Sequence, residues 1–167
     1  MKPRSFAHAR RERAAGFTLV ELMIAVVVVA LLASIALPSF MDSIRKSRRS
    51  DAFNAIAQVQ QMQERWRGIR NAYAIDAVLT EPWSPANPAS APGLGVPRLT
   101  ASRYYSLALS GTGATGYTVT ATAEAGTSQA ADGNCKVLAA RLTDGNLAYG
   151  SGAAAAAFPD ANRCWAR

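Results

Sequence analysis

The sequence predicts an α+β fold: one long N-terminal α-helix packed on a roughly four-stranded antiparallel β-sheet. Three observations predict it. Residues 17–40 are almost wholly apolar. From Ile44 to Tyr73 apolar side chains recur mostly three and four residues apart, which is helical spacing. Beyond residue 100, four β-rich stretches are separated by turn signals.

The chain has 167 residues, enough for one domain with an appended element. Its formal charge of +7 suggests an acidic partner. Residues 1–16 weaken that inference, because Lys2, Arg4, Arg10, Arg11 and Arg13 face only Glu12 there. Without this basic head the excess is modest.

The apolar run from Phe17 to Leu37 is about 21 residues, long enough to cross a ~30 Å hydrocarbon core as a helix. A secretory signal peptide would have a shorter core and a small-residue cleavage site behind it. No clear Ala-x-Ala site precedes a soluble start here. Basic residues flank both ends, with "RKSRR" (Arg45 to Arg49) on the far side, so charge sets the orientation only weakly. Glu21 is the odd residue. Near a helix end it can snorkel to the interface, or it can pair with a cation. Cleavage between Gly16 and Phe17 would create such a cation, a free α-amino group four residues before Glu21. A charge satisfied only by a second copy's amine favours assembly.

"GFTLVELMIAVVVVALLASIALP" resembles the prepilin signal of type IV pilins and their relatives. The resemblance covers Gly16, Phe17, Thr18, Leu19, Glu21, Leu22, Met23 and Ile24, then Pro38 at the characteristic distance. It implies a dedicated prepilin peptidase that cuts after Gly16 and methylates the new amino terminus at Phe17. It also implies that Glu21 guides docking among major and minor pilins at an assembly platform. The precursor would be a single-pass inner-membrane protein with its head in the periplasm, and the assembled subunit would lie in a type IV pilus at the cell surface. Residues 1–16 would be the cleaved leader, 17–40 the membrane and filament-core helix, and 41–167 the exported head. Many pilins carry glycine where this chain has Ala30, and glycine would weaken a helix by about 1 kcal/mol relative to alanine. Pro38 is therefore the residue left to break the helix, by removing a donor and clashing with the preceding turn.

The amphipathic half carries Ile44, Phe53, Ile56, Val59, Met62, Trp66, Ile69 and Tyr73 as an expected core stripe, with the helix ending near residue 70 and Gly68 as a fraying point. Residues 80–97 hold five of the eight prolines and read as a long surface loop. In the resembling family this region faces outward, where a partner could read it; Trp83 is expected to tuck against the head. The strands are Tyr104–Leu109, Tyr117–Ala123, Lys136–Thr143 and Asn146–Tyr149. Asp144-Gly145 is a strong hairpin signal. Connection lengths suit a meander.

Cys135 and Cys164 remain. Metal ligation would want neighbouring His or Cys, and the one histidine, His8, lies in the leader. No Cys-x-x-Cys redox spacing is present. In an exported head a disulfide is the natural reading, and the resemblance agrees, since many type IV pilins carry a C-terminal disulfide loop. Such a loop of about 30 residues would contribute roughly 3–4 kcal/mol by restricting the unfolded chain. With "GYTVTATA", "CKVLAARLTDG" and "CW", the C-terminal half looks most like a minor pilin of the PilE-like group.

No catalytic constellation, cofactor motif or metal site is expected. The favoured function is a structural minor pilin. One alternative is a DNA-binding, DNA-uptake pilin. Against it, Arg98, Arg103, Lys136, Arg141, Arg163 and Arg167 are scattered, and "RKSRR" is better placed to meet lipid headgroups or neighbouring subunits. A type II secretion pseudopilin is the other alternative, and the cysteine pair argues against it. The pilus's task, whether twitching motility, cell adhesion, DNA uptake or secretion, is left open.

Overall fold

The computed structural model describes residues 16–165. The leader assigned to residues 1–16 thus lies outside the described residues except for Gly16, as does Arg167. The chain divides into two compact units, one ending at Phe40 and the other beginning at Met41. Helix α1, Leu19–Arg67, contributes to both.

In the first unit α1 is apolar around most of its surface, Glu21 apart, and its large apolar side chains are exposed, from Leu19 at 73% to Phe40 at 62%. The sequence marks Pro38 as a helix break, but the structure corrects this: Pro38 lies inside α1. Proline removes one N–H, so only the carbonyl of Ser34 loses its helical donor. The bonds of the flanking turns hold the backbone helical despite that cost, about 3 kcal/mol in a helix interior.

The second unit is the head. Four strands, β1 (Tyr105–Ser110), β2 (Gly116–Ala123), β3 (Val137–Thr143) and β4 (Asn146–Gly152), form one antiparallel sheet in the order β1-β2-β3-β4. This is the expected meander, with β4 three residues longer than the sequence suggests. Register pairs Leu107 with Ala121, and Ala121 with Leu138. Leu109, Val119, Ala140 and Tyr149 form the next row on the same face. The hairpin between β3 and β4 turns on Asp144 and Gly145, both at positive φ, the turn that follows the right-handed strand twist.

Part of this face packs on the head portion of α1, which buries Ala52, Ile56, Val59 and Gln63. Phe53, Met62, Trp66 and Tyr73 pack against that core from its margin. Ile69 departs from the expected stripe and is exposed, because α1 stops at Arg67 and the next turn is tighter, with the Ile69 N–H donating to the Trp66 carbonyl. Gln63 is a polar residue at the centre of the stripe. Its Nε2 donates to the Ala74 carbonyl at 2.9 Å, and its Oε1 accepts from the Ala74 N–H at 2.8 Å. One side chain thereby satisfies a buried backbone segment that has no strand partner.

The proline-rich segment is only half the surface loop expected. Residues 80–90 are exposed or half-buried, including Trp83. Ala91, Leu94 and Val96 are core residues, each 1% exposed. The N–H of Leu94 donates to the Val78 carbonyl and that of Val96 to the Leu79 carbonyl. Gly93 allows this approach, since a Cβ there would lie 2.2 Å from the Val78 oxygen. The prolines punctuate the segment without keeping it off the core.

Gln63→Leu should remove both bonds and leave the Ala74 amide and carbonyl buried without partners, a loss of about 2–4 kcal/mol. Urea unfolding of the intact chain in detergent checks this. Gln61→Leu, at an exposed position of the same helix, should change the midpoint little.

Candidate functional site

The N-terminal end of α1 is built by local chemistry. Thr18 precedes the helix, and its Oγ1 accepts the Glu21 N–H at 3.2 Å. Its carbonyl accepts the Leu22 N–H, also at 3.2 Å. Thr18 is thus the N-cap and Glu21 the third helical residue, the spacing of a capping box. A carboxylate in the first turn also meets the positive end of the helix dipole. The cap lies within the four residues "TLVE", Thr18 to Glu21, and needs no charge partner from outside the helix. Gly16 and Phe17 precede the cap in non-helical backbone, and a Cβ on Gly16 would meet nothing within 4 Å. The helix is long and apolar enough to cross a membrane.

At the start of the head, the basic run is not the free cationic patch that the sequence suggests. Arg49 makes a bidentate pair with Asp132, with both bonds at 2.8 Å. Both side chains are largely buried, at 15% and 6% exposure. The hydrogen bond to Asp132 raises the Arg49 pKa further, with burial opposing it. Arg45 Nε donates to the Ser128 carbonyl at 3.3 Å, and Arg48 donates to the Ser128 hydroxyl while stacking 4.4 Å from the Tyr104 ring centroid. Three of the four basic residues in this run therefore bind the head's own 128–132 segment, and Lys46 is the one left exposed. Buried Gln129 completes the seam, donating to the Tyr105 hydroxyl at 2.8 Å and to the Arg45 carbonyl at 3.2 Å. Burial pushes the Tyr105 pKa up, and the Gln129 bond opposes that.

Cys135 and Cys164 are joined, with Cα atoms 5.6 Å apart. The bond brings the C-terminal segment back to the sheet and the helix. The Trp165 indole N–H donates to the Gly150 carbonyl at 2.9 Å, and its ring stacks on Phe53 of α1 and meets Tyr149 of β4, each at 4.5 Å. Asp160 accepts the Trp165 backbone N–H at 2.9 Å and also holds the Ser151 hydroxyl. Arg141 lies 4.3 Å from the Phe158 ring centroid. Among the described residues, no three His, Cys, Asp or Glu side chains gather where they could hold a metal.

The β1 edge is closed by residues that periodicity does not single out. Asp76 accepts the Leu109 N–H at 2.7 Å and pairs with Arg98 at 3.0 Å. The Arg98 hydrogen bond, reinforced by that N–H, holds the Asp76 pKa below the usual carboxylate value against the effect of burial.

An apolar N-terminal helix continuing into a disulfide-closed α+β head defines a type IV pilin-like subunit. The prokaryotic N-terminal methylation motif matches residues 11–37. The family described as type IV minor pilin ComP, DNA uptake sequence receptor, matches residues 38–139, well over half of the chain. The chain belongs to this type IV minor pilin family. It is 51% identical over 39 residues to the fimbrial protein EcpC of Eikenella corrodens, covering 23% of this chain and 26% of that protein. It is 50% identical over 38 residues to a fimbrial protein of Moraxella nonliquefaciens, covering 23% of this chain and 25% of that one. Over 86 residues it is 27% identical to the type II secretion system core protein G of Aeromonas hydrophila, covering 48% of this chain and 60% of that protein. The chain thus spans about a quarter of the length of the two fimbrial relatives. No solved structure matches it significantly.

Because Asp76 is more acidic in the folded head than in the unfolded chain, its contribution is complete above the unfolded pKa near ~3.9 and is lost as pH falls through the lower folded value. Urea midpoints measured from pH 5 to pH 2 should show Asp76→Asn less stable than the parent at pH 5. The two curves should converge at the acid end.

Proposed function

We propose that this chain is a minor pilin: a non-enzymatic structural subunit, processed after Gly16, methylated at Phe17 and built into a type IV pilus through its N-terminal helix. The observation that carries this is the methylation motif joined directly to the minor-pilin match, residues 11–37 and 38–139. The exposed apolar helix supports it physically. In water, each fully exposed large apolar side chain forgoes about 1.5–3 kcal/mol of burial, so such a surface needs lipid or other helices around it. Before assembly that surrounding is the inner membrane, with the head in the periplasm. After assembly it is the helices of neighbouring pilins. Prepilin peptidase and the assembly platform are the partners at the two steps.

In this reading Glu21 has two tasks. It sits favourably in its own first turn, and it receives a neighbour's Phe17 amine in low dielectric. Removing one member of a poorly solvated pair can cost ~3–5 kcal/mol. Glu21→Ala should therefore be cleaved and inserted, yet its ratio of filament-associated to membrane-associated subunit should fall by roughly two decades. An unchanged ratio reduces Glu21 to a carboxylate that only complements the positive end of its own helix. Gly16→Glu should leave uncleaved precursor in the membrane.

The family description favours a second reading, DNA capture by the head. Arg103, Arg141 and Arg163 are exposed, and neither they nor Lys136 takes part in the ion pairs among the described residues. Duplex binding by the intact chain should then weaken with salt, at a slope of about −0.9 per phosphate neutralised. No binding at low salt removes this reading and leaves the structural one standing.

A further inference from the structure

The two edges of the sheet are finished differently. In β1 the groups of Tyr105, Leu107 and Leu109 face outward, and the head occupies all of them but the Leu109 carbonyl. Thr100 takes the Tyr105 N–H with its hydroxyl and donates its own N–H to the Tyr105 carbonyl. The Arg98 carbonyl accepts from the Leu107 N–H, and its guanidinium donates to the Leu107 carbonyl. The Asp76 carboxylate accepts from the Leu109 N–H. These bonds leave no run of open backbone groups there for another strand to pair with.

In β4 the outward groups belong to Leu147, Tyr149 and Ser151. Two observations fix this. Ser151 exchanges backbone hydrogen bonds with Ala157, outside the sheet. The two-residue turn makes Thr143 and Asn146 the closing pair of the hairpin, so alternate residues from Asn146 onward bond β3. Ala157 closes the edge at Ser151. At Leu147 and Tyr149 no described residue takes the backbone groups.

The same two side chains are 46% and 40% exposed. Beneath them a groove separates β4 from α1. One part, about 330 Å³, lies among Phe53, Ala57, Gln60, Tyr149 and Trp165. The next, about 290 Å³, shares Gln60 and runs past Glu64, Tyr117, Leu142 and Leu147. The part beside Leu142 and Leu147 is lined mostly by apolar surface, the part beside Trp165 by polar and apolar surface in similar shares. The open edge carries no Lys, Asp or Pro to repel a strand.

We propose that the Leu147–Tyr149 edge of β4 receives an extended strand from a neighbouring pilin head. The strand pairs with the open backbone groups and places alternate apolar side chains in the groove against α1. The chain's own Ala157 shows that this edge accepts an antiparallel partner, and the added strand continues that pairing. The donor is a pilin because packing apolar helices side by side holds like heads together at high effective concentration, where even a short strand addition forms. The proposal rests on the assembly reading above.

Two measurements on the full chain in cells test it. A photoreactive p-benzoylphenylalanine at Leu147 should crosslink to an extended segment of another pilin. The same probe at Ala108, exposed on β1 beside the closed edge, should not. Leu147→Lys should keep cleavage and the Cys135–Cys164 bond, while its filament-associated fraction drops roughly tenfold, as expected when the apolar contact is lost and a lysine charge is set on the edge. Crosslinking at Leu147 no stronger than at Ala108, or directed to a protein other than a pilin, overturns the proposal. So does an undiminished filament fraction for Leu147→Lys. Wild-type chain absent from filaments while Leu147 still crosslinks to a pilin in the membrane would sink the filament reading and leave the edge contact standing.

Discussion

Helix α1 has to meet two surroundings with one backbone, and the rest of the structure follows from that constraint. Up to Phe40 its side chains, Glu21 and two serines apart, are apolar and exposed, which suits lipid or other helices and not water. From Met41 the same helix belongs to a folded head that buries only one stripe of it, Ala52, Ile56, Val59 and Gln63. The head must therefore grip the helix through a narrow contact. It does so with the sheet behind the stripe, with Gln63 holding Ala74, and with Arg49 clamped to Asp132.

The Arg49–Asp132 pair shows how the grip is made specific. A buried pair contributes little net stability against an apolar substitute, but losing one partner strands the other charge. Around it, Arg45, Arg48 and Gln129 add further bonds to the same short segment. Farther along the chain, the disulfide fixes the C-terminal segment so that Trp165 stacks on Phe53 of the helix. Two distant segments of the head are thus fastened to α1, one by charge and one by an aromatic contact.

Much of this was legible in the sequence. The helix, the four strands and their meander order follow from periodicity and turn residues, because each signal lies within a few neighbouring positions. Asp144-Gly145 marks its hairpin by the positive φ that both residues adopt. The methylation motif is legible because its residue types and spacing are dense. What escaped depends on long separations. Arg49 and Asp132 are 83 residues apart, and nothing near either one announces the other. Asp76 and Arg98 pair across 22 residues to close the β1 edge. Leu94 and Val96 are buried in irregular backbone, which has no period to read. The basic run misled for the same reason: composition shows the charge, and only tertiary structure shows where each guanidinium goes.

The central claim is that this chain leaves the membrane as a processed pilin and becomes part of a filament. Intact-mass analysis of subunits from sheared, washed filaments tests it most directly. The account predicts a species of this chain beginning at an N-methylated Phe17. Filaments that lack the chain while it persists in the membrane, or that carry it with residues 1–16 still attached, would contradict it.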